Sequence, residues 1–174
     1  ASKKSKFVQK IFFSTDHPEI IKFSKKKNID IILRPKKLNN DKALFEDALI
    51  FSYQEAVKRI GYEIDYVVVL MCNAVTINSH LIDKGIKELK KNKKADSAVT
   101  VSKYNMYSPL RARKLNSKGF LIPFVPLSSF GNINSFNCDK DSQGDVFFAD
   151  MSHSVTRGKT LRNINKGLLP QKWM

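Results

Sequence analysis

Three arginines stand where a chain of alternating strands and helices offers a ligand its edge. Arg34 follows the apolar run Asp30-Ile31-Ile32-Leu33 directly and is held extended by Pro35. Arg111 and Arg113 lie further on, in the stretch Tyr107 to Leu115 that follows the run Ser97–Val101. A guanidinium is a planar fork of donors that fits a carboxylate or phosphate better than a lysine ammonium does. The three therefore predict an anion site, and the competing reading of each is ordinary surface charge. Three carboxylates, Asp16, Asp41 and Asp150, are placed for structural work as a helix cap, a loop-to-helix cap and a strand end. Cys72, Cys138 and three scattered histidines lack the spacing of a zinc site, and two cysteines make no disulfide framework. That usage reads as a reducing, cytoplasmic setting.

The elements that must carry these residues centre on Tyr66-Val67-Val68-Val69-Leu70-Met71-Cys72-Asn73. A short apolar run without alternation predicts a strand buried on both faces, as in parallel sheets. Its exit, Met71 to Ile77, is the first place to look for chemistry, because open α/β sheets bind ligands beyond the carboxyl ends of their strands. A helix follows to about Lys91, capped by Asn78 or Ser79, with Ile82, Ile86 and Leu89 on one face and Asp83 near its positive end.

Upstream, residues 1–10 read as the tail of a helix, and Ile11–Ser14 as a strand. Asp16-His17-Pro18-Glu19 predicts a helix start with Asp16 as cap and Glu19 reaching back to it. Lys25–Lys27 and Asn28 end that helix. After the strand Asp30–Leu33, a helix from about Ala43 to Ile60 buries Phe45, Leu49, Tyr53, Ala56, Val57 and Ile60, with Gly61 to stop it. Downstream, Ser97–Val101 is a strand. Tyr107–Leu115 and Phe120–Phe124 form a β-hairpin about Asn116–Gly119, and Val146–Asp150 is a strand. Pro126 to Gly144 is polar and lacks periodicity, the signature of a lid, binding loop or exchanged arm. Alternating strands and helices predict an α/β protein, three-layer, with a mostly parallel sheet between helices. The 174 residues make one domain, 1–174, in which 104–150 is the hairpin and arm region.

Hydrophobic content of 42% and charged content of 27% are those of a globular protein, and no apolar run is long enough to span a membrane. The formal charge of +15 raises nucleic acid or an anionic substrate as partners. Its lysines fall in short clusters near helix ends, where they complement the helix dipole, without the aromatic interleaving that stacks bases.

Four stretches in order resemble the acylneuraminate (CMP-sugar) cytidylyltransferase family: Ile11–Asp16; Leu33-Arg34-Pro35 with Leu38 and Asp41-Lys42-Ala43; Val67–Leu70; and Asp96–Val101. The segment with Pro109, Arg111 and Arg113 before Gly119 is also similar. The resemblance implies a Rossmann-like nucleotide-diphospho-sugar transferase fold with a dimerisation arm. It further implies a homodimer and transfer of CMP from CTP to an acidic sugar, with pyrophosphate leaving and Mg²⁺ offsetting charge. Carried over, Arg34, Ala43 and Asn73 match nucleotide-binding positions, and Arg111 and Arg113 match substrate-binding ones. The family's run Gln-Pro-Thr-Ser-Pro-Leu-Arg is replaced here by Met71 to Ile77, and Phe45 stands where a small hydroxyl residue is usual. The glycine-rich phosphate loop and the C-terminal metal aspartates of the family have no counterpart in this chain. The expectation is therefore a chain cut at both ends, with no metal ligands and no assigned catalytic residue, that releases no pyrophosphate alone. A non-catalytic homologue that binds a partner or anionic ligand is the alternative, and a nucleic-acid-binding domain is the third.

Overall fold

The computed structural model describes residues 1–161. The chain divides into two compact units, one formed by Ala1–Val99 with the segment from Met151 onward, the other by Thr100–Asp150. The expected hairpin and arm region, 104–150, lies inside the second.

In the first unit the order is β1 (Phe12–Thr15), α1 (Pro18–Lys27), β2 (Asp30–Leu33), α2 (Phe45–Ile60), β3 (Tyr66–Leu70), α3 (Ser79–Lys91), then β4 (Ser97–Lys103), which runs on into the second unit. Strand β7 (Phe147–Arg157) begins in the second unit, continues into the first and leads into the short α4 (Gly158–Leu161). Strands β1 and β2 pair in parallel, Phe12 opposite Asp30 and Thr15 opposite Leu33. A separate three-stranded sheet has the order β3-β7-β4. Within it β7 runs antiparallel to β3, Tyr66 opposite Arg157 and Leu70 opposite His153. The α/β class holds. The last strand enters the three-stranded sheet between two earlier ones and runs opposite to β3, while the parallel pairing lies in the separate β1–β2 pair.

Local chemistry explains the helix ends. Asn28 takes the left-handed conformation (φ 51°) that closes α1, and Gly61 (φ 80°) does so for α2. Asn78 caps α3, its Oδ1 accepting from the Leu81 N–H at 3.0 Å. At the start of α1 the expectation fails. The cap position belongs to His17, whose own N–H is held by Thr15 Oγ1 at 3.1 Å, and Asp16 caps nothing. Helix α2 begins at Phe45, later than expected, with Leu44 at the cap position and no side-chain cap, so Asp41 caps nothing either. Its buried stripe is Ala48, Tyr53 and Ala56, while Phe45 is exposed.

The core of the first unit is Ile82, Ile86 and Leu89 of α3 against Val155 of β7, with Tyr66, Val68 and Leu70 of β3 packed onto it. All five β3 residues are half-buried, so the central strand is not enclosed on both faces as its composition predicts. Residues 1–10 are not a helix tail. After one 3₁₀ turn at Ser2–Lys4, Ser5 Oγ donates to Asp83 at 2.5 Å and the Lys6 N–H to the same carboxylate. Phe7 and Val8 then pack on the α3 cluster. Ser5 first, and the Lys6 N–H after it, hold the Asp83 carboxyl below the usual carboxylate range. Arg157 closes the other end of α3, donating to the Leu89, Asn92 and Ala95 carbonyls with its guanidinium over the Tyr66 ring.

The second unit contains the hairpin β5 (Arg113–Leu115) and β6 (Leu121–Pro123), antiparallel and turned at Gly119. No large apolar residue of this unit is fully buried, and its centre is polar. Buried Asn105 donates from Nδ2 to Asp141 and Asp145 and accepts the Val146 N–H at 2.9 Å. Gln143 donates to the Asn105 carbonyl at 2.8 Å and accepts from Ser108 Oγ at 2.5 Å. The stretch 126–144 reads as too unpatterned to pack on its own chain, yet its C-terminal part is folded back by these bonds. Hydrogen bonding leaves no hydrophobic period for a sequence reading to detect.

Candidate functional site

At the carboxyl ends of the parallel pair β1 and β2, a cavity of about 320 Å³ is lined by Asp16, Arg34, Asn39, Asp41, Ala43 and Phe45, among others. Each side chain is placed by local chemistry. Because Thr15 restrains the start of α1, the Asp16 carboxylate is released from capping and meets Arg34 Nη2 at 3.3 Å. Past Pro35 a 3₁₀ turn forms, with the Leu38 N–H on the Pro35 carbonyl at 2.8 Å. Asn39 then turns back, its Nδ2 donating to the Arg34 carbonyl at 3.1 Å. Asn40 organises the next turn, its Oδ1 taking the Lys42 N–H and its carbonyl the Ala43 N–H, both at 3.0 Å. This brings Ala43 to the cavity wall beside Arg34.

Two polar atoms in this wall are shielded from solvent and have no hydrogen-bond partner among the described residues: Arg34 Nε, a donor, and Asn39 Oδ1, an acceptor. Desolvated groups left unmatched cost on the order of 1–3 kcal/mol each, so such a pair marks a place that a ligand can stabilise.

Of the residues singled out in the sequence, Arg34 and Ala43 meet in this cavity. Asn73 does not line it. It is exposed in the turn after β3, where its carbonyl accepts the Val75 N–H at 3.1 Å. Arg111 and Arg113 belong to the second unit, where both bond to backbone. Arg111 Nη2 reaches the Cys138 carbonyl at 3.1 Å, and Arg113 Nη1 reaches the Leu110 and Ala112 carbonyls at 2.9 and 3.0 Å. Asp150, the expected strand end, lies within β7 and accepts from Thr100 Oγ1 at 2.6 Å. Asn39 and Asp16 were missed as site residues. Asn39 lies in a polar loop with no periodicity, and Asp16 looks like a cap until Thr15 is seen doing related work.

A sequence model of the cytidylyltransferase family matches residues 1–117. The chain belongs to the cytidylyltransferase family. Among solved structures it is similar to CMP:2-keto-3-deoxy-manno-octonic acid synthetase complexed with CTP, at a TM-score of 0.58 and 13% identity. That match covers 93% of this chain and 62% of the other, so this cytidylyltransferase-family chain spans under two thirds of the synthetase's length. At such identity the likeness establishes the nucleotidyltransferase fold. No curated protein sequence matches.

Among the described residues no three His, Cys, Asp or Glu side chains come together to hold an ion, and the Asp16 carboxylate is engaged by Arg34. Among the same residues no helix is long and apolar enough to cross a membrane.

Proposed function

We propose that this cytidylyltransferase-family chain serves CMP-sugar synthesis, transferring CMP from CTP to an acidic sugar of the sialic-acid type. The sugar hydroxyl attacks the α-phosphorus, the bond to the β-phosphate oxygen breaks, and pyrophosphate leaves. The observation that supports this reading most is the meeting of Arg34 and Ala43 in one cavity at the carboxyl ends of β1 and β2. Arg34 supplies fixed positive charge there, oriented by Asp16. For the acidic sugar, Arg111 is the better placed of the two downstream arginines, since its Nε has no partner among the described residues whereas Arg113 is bonded to two carbonyls of its own loop. The reading carries a homodimer formed through the hairpin, whose Leu115, Phe120, Leu121 and Phe124 are exposed. It also carries a cytoplasmic setting, in keeping with free, exposed Cys72 and Cys138.

Calorimetric titration with CTP tests the reading. The wild-type chain is expected to bind CTP, and Arg34→Ala to weaken binding about tenfold or more, as loss of a charge-assisted bond does. Absence of CTP binding, or an Arg34→Ala chain that binds CTP as well as wild type, would sink it. Sedimentation of the same samples reads the homodimer. A single monomeric species at micromolar concentration would remove that part.

One further observation favours a second reading, a non-catalytic family member that holds an anionic partner. A groove of about 380 Å³ along α3 is lined by Lys6, Lys84, Lys87 and Lys91 together with His80 and the carboxylates Asp83 and Glu88, a net positive wall. Binding of heparin that falls steeply with salt, with no binding of CTP, would select it.

A further inference from the structure

Asn39 is a residue to which the sequence assigns no role, and its geometry bears on which base the cavity accepts. The inference rests on the reading of that cavity as a nucleotide site. The Asn39 amide is fixed in direction, because only its Nδ2 can donate to the Arg34 carbonyl, which it does at 3.1 Å. Its Oδ1 is therefore the end left over, shielded in the wall and unpartnered among the described residues. Arg34 Nε, a pure donor, is in the same condition in the same wall. The wall thus holds, beneath its surface, one unmatched acceptor and one unmatched donor on residues tied to each other. Met71, at the exit of β3, brings only a thioether, a weak acceptor, and does not line the cavity.

We propose that Asn39 is the base-specificity determinant of the site, its Oδ1 accepting from the exocyclic amino group of a cytosine ring while Arg34 Nε donates to the adjacent ring acceptor. Cytosine presents an amino donor beside an unprotonated ring nitrogen. Uracil presents a carbonyl beside an N–H, the reverse order. Against uracil, Oδ1 would meet a carbonyl oxygen and Nε–H would meet another donor, so both contacts become repulsive. A site of buried polar groups discriminates strongly on this basis, since the wrong partner leaves them unmatched. Because both atoms lie beneath the surface, base binding requires a shift of the turn 36–44, and the amides of that turn report it.

The test is a ¹H–¹⁵N chemical-shift titration of the full chain with CTP, UTP and the triphosphate of 2-pyrimidinone riboside, which keeps the ring nitrogen but lacks the amino group. Wild type is expected to bind CTP at least about tenfold more tightly than either analogue, with the shifts centred on 36–44. Asn39→Ala is expected to weaken CTP and to lose the preference over the pyrimidinone nucleotide, while the preference over UTP narrows and persists through Arg34 Nε. Asn39→Ala that keeps the wild-type preference overturns the proposal. So does wild type that binds CTP and the pyrimidinone nucleotide equally, an outcome that leaves the nucleotide-site reading standing and needs no variant to fold. Wild type that binds none of the three overturns the site reading itself, and this inference with it.

Discussion

The two units of the chain solve the same problem by opposite means. In the first, α3 lays Ile82, Ile86 and Leu89 on Val155 and the inward side of β3, and apolar burial does the holding. In the second, the buried side chains are Asn105 and Ser108, and the loop 137–146 is gathered by bonds to Asn105 and Gln143. Apolar burial is non-directional and tolerates small movements. A hydrogen-bonded centre is directional, so removing one partner strands several others. The contrast explains why helices of the first unit are readable as stripes and the loop of the second is not.

The comparison breaks if the two centres respond alike to deletion. Ile82 is fully buried, and Ile82→Ala is expected to cost about 2–5 kcal/mol from lost transfer energy and the cavity left behind. Chemical denaturation gives the size, and amide exchange should show protection lost across α3, β3 and β7 together. Asn105→Ala is expected to cost less, about 1–3 kcal/mol, because it leaves the Val146 N–H and two carboxylates without this partner. Its exchange signature should be confined to 137–146. If the Asn105 variant instead unfolds the α3 cluster, the units are not energetically separate.

What the sequence made legible follows the same divide. Asn28, Gly61 and Asn78 mark helix ends through bonds made within a few residues, and each does so in the structure. The stripe Ile82, Ile86, Leu89 is a local period, and it is the core. The place of β7 between β3 and β4 is set by pairing partners more than 80 residues apart in sequence, such as Val68 and Val155. A short alternating run such as Ser152 to Arg157 carries no signal of direction or neighbour.

The candidate site divides likewise. Arg34 and Ala43 were legible through a resemblance that spans their spacing, and they meet in one cavity. Asp16 was misread because a Ser, Thr, Asp or Asn before a helix usually caps it, and here Thr15 restrains the His17 N–H while Asp16 turns to Arg34. Asn39 became visible only through the bond that fixes its amide and leaves one oxygen unmatched.

The smallest expected effect sharpens the contrast, since acid acts on carboxylates and leaves apolar contacts alone. The Asp141 carboxyl is held below the usual range by the Lys140 ammonium and then by Asn105, and that of Asp145 by Lys103 and then by Asn105. A carboxyl whose value is lowered in the folded state binds fewer protons there than in the unfolded chain. Its contribution is therefore complete above the ordinary aspartate value of about 4 and is lost as pH falls through the lowered one. The first unit has two carboxyls so lowered among the described residues: Glu55, by the Lys58 ammonium one turn on, which holds no backbone N–H, and Asp83, which holds Ser5 and the Lys6 N–H. Below about pH 4 the amides of 137–146 should lose exchange protection as a group. In the first unit the loss should be confined to the first several residues, with the α3 cluster still protected. Both carboxylates at Asn105 are exposed to solvent, so 1 M salt should weaken their ion pairs at neutral pH in the same segment and leave α3 untouched. Simultaneous loss of protection in α3 and 137–146 on acidification would show that the polar centre and the apolar core hold one cooperative structure.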